Sequence, residues 1–192
     1  MALLEAAYAE GYNVPKEIKM LSLKTVRLKE VVIDYGLILP ELIMEMAPDT
    51  PSSSFFYKMN EEKHYPETKM RRDVLVKDRV FLVNFGDWVR SVEVIKYAIN
   101  NDWRTASLRT LLSLPYYTSP EIREIFQNSY SDENNEMENV IFMSMRAILI
   151  EKICWAAFTA SYGGGPLELS KHRIKRSFEF NPRHWFVFES KT

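Results

Sequence analysis

Apolar side chains at Ile18, Leu21, Leu28, Val32 and Tyr35 recur at spacings of three, four and seven, which puts them on one face of a helix. Asn13 and Pro15 give a start signal ahead of this run, and Gly36 gives a stop behind it. Residues 21–33 also carry a strand pattern. Val26 and Leu28 alternate with Arg27 and Lys29, and the β-branched Val31, Val32 and Ile33 follow. The helical spacing prevails and predicts a helix here. A short helix is expected over residues 2–10, and another from Pro40 through Met46 that stops at Pro48.

The segment 47–54, APDTPSSS, is a loop by composition, and residues 60–70 form a second polar stretch. Around these lie the strand signals: Phe55–Met59, Val74–Val76 and Val80–Phe85, the last two joined by a tight connection at Lys77, Asp78 and Arg79. Beyond them the pattern turns helical. Asp87 is placed to cap a helix running to Ile99, Asp102 a helix ending before Pro115, and Ser119-Pro120-Glu121 a third. Val140–Ala160 reads as one long apolar helix ending at Gly163, Gly164 and Gly165. Arg146, Glu151 and Lys152 interrupt it on different sides. Each costs roughly 2.5–3.5 kcal/mol at the centre of a bilayer, so a buried helix is expected and no membrane span.

The fold class that follows is α+β: a mostly helical single domain with a small antiparallel β portion near the middle. The C-terminal run Trp185–Phe188 is available to join it as a further strand. Residues 1–192 are read as one globular domain, containing a loop-rich segment at 47–72 and a basic, aromatic C-terminal segment at 166–192. The expected core comprises Leu21, Leu28, Val32, Val80, Leu82 and Leu108, then Leu111, Ile141, Met145, Leu149, Ile153 and Trp155.

Composition fits this picture. A chain of 192 residues with 46% hydrophobic and 27% charged side chains buries roughly 70% of its unfolded surface without covalent staples. The net charge of -1 lacks the overall basic balance of a dedicated nucleic-acid-binding domain. The one cysteine, Cys154, has no intramolecular partner and lies among apolar neighbours, which points to an intracellular, cytoplasmic setting. The first residues lack the charged and apolar regions of a secretion signal.

Familiar catalytic patterns fit poorly. Asp49 after Pro48, then Glu67 and Lys69 with His64 nearby, follow the order of a divalent-metal nuclease set, in which carboxylates hold the ion and lysine activates water. Pro66 immediately before Glu67 is incompatible with the central strand such a set requires. The glycines 163–165 follow a helical pattern and lack the Gly-Lys-Ser/Thr that cradles phosphate. Cys154 with His64, His172 and His184 falls short of a zinc site. No catalytic residue, metal or cofactor is assigned.

Two groups suggest binding. Lys171, Arg173, Lys175, Arg176, Arg183 and Trp185 interleave cations with an aromatic ring, a pattern that neutralises phosphates and stacks on bases. The basic cluster also fits a nuclear-import address. Phe55, Phe56, Tyr57, Tyr116 and Tyr117 flank loops, where rigid rings make good anchors for a protein partner. Leu111-Leu112-Ser113 with Pro115, Pro120 and Phe126, and the segment from Arg146 to Glu151, resemble parts of small non-structural proteins of segmented negative-strand RNA viruses. That resemblance implies a viral or host-directed accessory role and carries over no residue. The leading expectation is a non-enzymatic protein-binding factor. A nucleic-acid binder using the C-terminal segment and a metal-dependent nuclease are the alternatives. Oligomeric state is left open.

Overall fold

The computed structural model describes residues 23–51, 54–58, 74–77, 79–131, 136–137, 140–145, 148–150, 153–162, 167–172 and 178–191. The chain is not mostly helical: strands dominate, arranged around a mixed sheet. The strands are β1 Lys24–Leu28, β2 Val31–Asp34, β3 Val74–Lys77, β4 Val80–Asn84, β5 Val89–Arg90, β6 Trp103–Thr105 and β7 Tyr130–Ser131. They continue with β8 Glu136–Met137, β9 Val140–Ser144, β10 Ile148–Ile150, β11 Ile153–Tyr162, β12 Glu168–His172, β13 Glu179–Phe180 and β14 His184–Ser190. The described helices are α1 Leu39–Met46, α2 Phe55–Lys58, α3 Ser91–Asn100, α4 Leu108–Leu112 and α5 Pro120–Gln127.

The largest correction falls on residues 24–34, where the expected helix is a pair of strands. β1 runs antiparallel to β4, and β2 runs antiparallel to β3. Both pairs share one register: three residues after Leu28 meets Val80, Val31 meets Lys77. The two ladders therefore continue one register as arms of one ribbon, with Lys29 and Glu30 between β1 and β2. Glu30 adopts φ 58° at the bend, a left-handed conformation uncommon outside glycine. The β-branched residues and the alternation decide the outcome, because Val31 and Ile33 pack inward while Val32 is left 52% exposed. Val32 is thus not a core residue. Nor do β3 and β4 form the expected hairpin: β3 pairs with β2, and β4 pairs with β1 and β14.

Val140–Ala160 is not a helix either. It holds β9, β10 and most of β11, with β11 paired to both β9 and β10. Arg146, Glu151 and Lys152 lie outside the described residues. Phe55–Lys58, expected extended, is a short helix.

Other signals hold. α1 begins beside Pro40 and ends before Pro48. α5 starts where Ser119 and Pro120 predict, with Ser119 Oγ accepting from the Ile122 amide at 3.2 Å. α3 and α4 are present, but their caps are Arg90 and Ser107 in place of Asp87 and Asp102.

The expected C-terminal strand turns out to be the middle of the sheet. Strand order is β1-β4-β14-β9-β11-β10, with β12 on β11 and β6 on β14. β14 is antiparallel to β4 and β6 and parallel to β9. Trp185 and Val187 point into a core shared with α1, α4 and α5, whereas Phe186 and Phe188 enter a second core with α3 and β13. A strand buried on both faces reads as an unbroken apolar run. Leu28, Val80, Leu82, Leu108, Leu111 and Met145 are buried as expected. Leu21 lies outside the described residues.

Candidate functional site

The alternation of β14 puts one carboxylate, Glu189, on the same side as Trp185 and Val187, where it is 2% exposed. Such a group survives only with partners. Lys77 of β3 approaches Oε2 at 2.7 Å. Arg104 of β6 donates Nε and Nη2 to the same oxygen at 3.1 and 2.9 Å. The Thr110 hydroxyl donates to Oε1. Since that proton is committed, Ser107 Oγ donates to Thr110 Oγ1 at 3.0 Å while accepting the Thr110 amide at 3.1 Å. Burial raises the Glu189 carboxyl, but Lys77, Thr110 and Arg104 outweigh it and hold it below the ordinary glutamate range. Both carboxylate oxygens have donors. This cluster joins β3, β6, β14 and α4.

A similar clamp holds the far arm of the ribbon. Arg109, 3% exposed, donates to the carbonyls of Asp34 and Leu37 and lies over the Tyr35 ring, 5.3 Å from its centroid.

A groove of about 520 Å3 opens at the other end of the same sheet face. Lys24, Thr25 and Val26 of β1 form one side, with Trp185 and Val140 in the floor. Glu121, Glu124, Ile125 and Asn128 of α5 form the opposite wall. The rim is the turn at Pro182 and Arg183, fixed by Asn84, whose amide donates to the carbonyls of Pro182 and His184. Asn181 Oδ1 accepts from the Arg183 amide at 3.0 Å and from His184 Nδ1 at 2.8 Å, which sets the protonated ring nitrogen. On the α5 wall, the Ser119 hydroxyl donates to Glu121 at 2.6 Å. That bond, with Lys29 nearby, holds the Glu121 carboxyl below its usual range. Lys24, Glu124 and Asn128 make no side-chain bond within the described protein. A 520 Å3 recess lies within the size range of ligand pockets, and its polar groups stand ready for an outside partner.

The aromatic residues singled out as partner anchors separate. Phe56 and Tyr116 are buried at 3% and 1%. The Tyr116 hydroxyl donates to the Leu111 carbonyl at 2.6 Å, and its ring meets Phe142 edge-on. Desolvation, and then the neighbouring Tyr117, push its phenol well above the ordinary value. Tyr57 packs half-buried against the core, and Phe55 lies in α2 beside it. Tyr117 is the exposed member, at 51%.

Of the basic and aromatic set, Arg183 and Trp185 meet in the groove. Lys171 lies in β12. Arg173, Lys175 and Arg176 lie outside the described residues, as do His64, Glu67 and Lys69 of the nuclease set; Asp49 is exposed after α1. Among the described residues no group of three or more His, Cys, Asp or Glu side chains is placed to hold a metal ion, and no helix is long and apolar enough to cross a membrane.

The chain matches no family model, no curated protein and no solved structure. Its function has to be read from the groove itself. Sequence reasoning missed that groove's α5 wall, because Glu121, Glu124 and Asn128 look like an ordinary helix surface until the fold sets them opposite β1. Glu189 had a signal: it shares the parity of Trp185 and Val187 in a strand with no polar face.

Proposed function

We propose that this chain is a non-enzymatic interaction protein that works by binding another protein, with the groove between β1 and α5 as its recognition surface. The observation that carries this reading is the set of Lys24, Glu124 and Asn128, three polar side chains on facing elements with no partner of their own. Cation, carboxylate and amide spread along one recess suit the varied side chains of a polypeptide better than a uniform ligand. Tyr117 stands exposed just ahead of α5, and a rigid ring there would serve as a second anchor for a protein partner. The action proposed is intracellular and cytoplasmic, in keeping with the lone Cys154.

A nucleic-acid reading draws support from Arg183 and Trp185 sharing the groove. Against it, Glu121 and Glu124 line the facing wall and would repel phosphate.

Partner capture by affinity purification with quantitative mass spectrometry tests the proposal, using wild type beside Tyr117→Ala and the double variant Lys24→Ala/Glu124→Ala. Loss of a specific protein from the variants, at unchanged melting temperature, is the expected result. Equal recovery by all three, or salt-sensitive retention of RNA in place of protein, would overturn it.

A further inference from the structure

The two walls of the groove carry opposite charge. On α5, Glu121, Glu124, Ile125 and Asn128 follow the i, i+3, i+4, i+7 spacing of one helix face and make a single stripe along the recess. On β1, Lys24 shares the parity of Val26, which packs on the core that contains Trp185, so both rise from that face of the sheet. Arg183 adds a second cation at the rim. Between the walls, Val26, Ile125, Val140 and Trp185 supply apolar surface. Lys24 and Glu124 are both exposed, and they form no ion pair with one another or with any other described side chain. Opposite charges on facing walls are thus held apart by the width of the recess.

Charge selects among the occupants. A polyanion meets Glu121 and Glu124, and a polycation meets Lys24 and Arg183, so a ligand of one sign gains on one wall and loses on the other. A ligand carrying both signs gains on both. Geometry selects further. An extended chain sends consecutive side chains to opposite sides, so alternating acidic and basic residues deliver their acids to one wall and their bases to the other. The methylene stems of such side chains cover apolar surface while the charged heads reach outward. From Glu121 to Asn128 the helix rises roughly 10 Å, about the length of three extended residues.

Building on the protein-binding reading of the groove, we infer that its occupant is a short extended segment of a partner protein in which acidic and basic residues alternate. Acidic side chains of the segment turn to Lys24 and basic ones to Glu124. Glu121, already bonded to the Ser119 hydroxyl, adds to the field of its wall, and Asn128 offers a donor and an acceptor at the far end. Selection comes as much from repulsion of the wrong sign as from attraction of the right one.

Four end-blocked peptides test this by chemical-shift titration of the isotopically labelled protein: Ser-Lys-Glu-Lys-Glu-Ser, its block isomer Ser-Lys-Lys-Glu-Glu-Ser, and the all-lysine and all-glutamate counterparts. The alternating peptide is expected to bind saturably, with shifts at residues 24–26 and 121–128, at least about tenfold more tightly than either single-sign peptide. The block isomer is expected to fall between them. Lys24→Glu should move the preference to the lysine peptide and Glu124→Lys to the glutamate peptide, while the two changes together should restore it to the alternating one. Both positions are exposed, so equal melting temperatures are expected throughout. A single-sign peptide or the block isomer binding wild type as tightly as the alternating peptide would overturn the inference, as would reversals that leave the preference unmoved. Binding of none of the four would end it too. The protein-binding reading would survive any of these results if a captured partner is still lost from Lys24→Ala/Glu124→Ala, and would fall with the partner-capture experiment alone.

Discussion

Glu189 and Glu124 are both glutamates on the same side of one sheet, and the protein treats them in opposite ways. Glu189 sits on the central strand with two cations and a hydroxyl around its carboxylate. Glu124 sits on the α5 wall of the groove with an unbonded carboxylate. A polar group sealed from water without partners costs free energy, so the interior position carries donors on both carboxylate oxygens. At the groove, water substitutes until a ligand arrives. The first arrangement serves stability and the second leaves capacity for recognition.

The contrast makes ordered predictions. Glu189→Leu leaves Lys77 and Arg104 facing a neutral side chain and should cost about 3–5 kcal/mol in urea unfolding. Adding Lys77→Met should recover part of that loss; an equal loss in both variants would mean that packing around β14 outweighs the ion cluster. The pH response follows from the same group. Its folded value is depressed, so its contribution is present above the unfolded carboxyl value and fades as pH falls through the folded one. Wild type should therefore lose stability on acidification below the ordinary glutamate range, and Glu189→Gln should lack that part of the decline.

Smaller effects belong to the caps. Ser107→Ala and Ser119→Ala should each cost about 1 kcal/mol, with Ser107 the larger because its partner Thr110 is buried and donates on to Glu189, whereas the Ser119 partner Glu121 is at the surface. Least of all, Glu124→Ala and Asn128→Ala should change stability by no more than about 0.5 kcal/mol while weakening partner binding. A stability loss at these positions as large as that at the caps would erase the distinction between the two glutamates.

Local chemistry made some of the architecture legible in advance. Ser119-Pro120 and the prolines at 40 and 48 fixed α5 and α1 because capping and proline geometry act over a few residues. Trp185–Phe188 announced a strand for the same reason. Residues 24–34 were harder, since their register partners lie at 74–84 and no local pattern names a partner that distant. Their helical spacing is an accident of Leu28 and Val32, which end on opposite sides of a bent ribbon. The 140–160 run misled because length favoured a helix, whereas its β-branched and aromatic side chains suit the strands β9, β10 and β11 that form there. At the candidate site, Arg183 and Trp185 stood out as a cation beside a ring. Their counterparts Glu121, Glu124 and Asn128 became meaningful once tertiary packing set them across from β1.

The position of β14 in the sheet bears on how the protein comes into being. Among the described strands, the one that joins β4, β6 and β9 follows the other thirteen in the chain and so leaves the ribosome after them. Until it emerges, the nascent chain holds the β1–β4 pair and the β9–β11–β12 strands as separate pieces with apolar faces open to water, a state prone to aggregation. Assembly of the sheet therefore waits on the synthesis of residues 184–190, and nascent chains should lean on holding chaperones until that stretch has emerged.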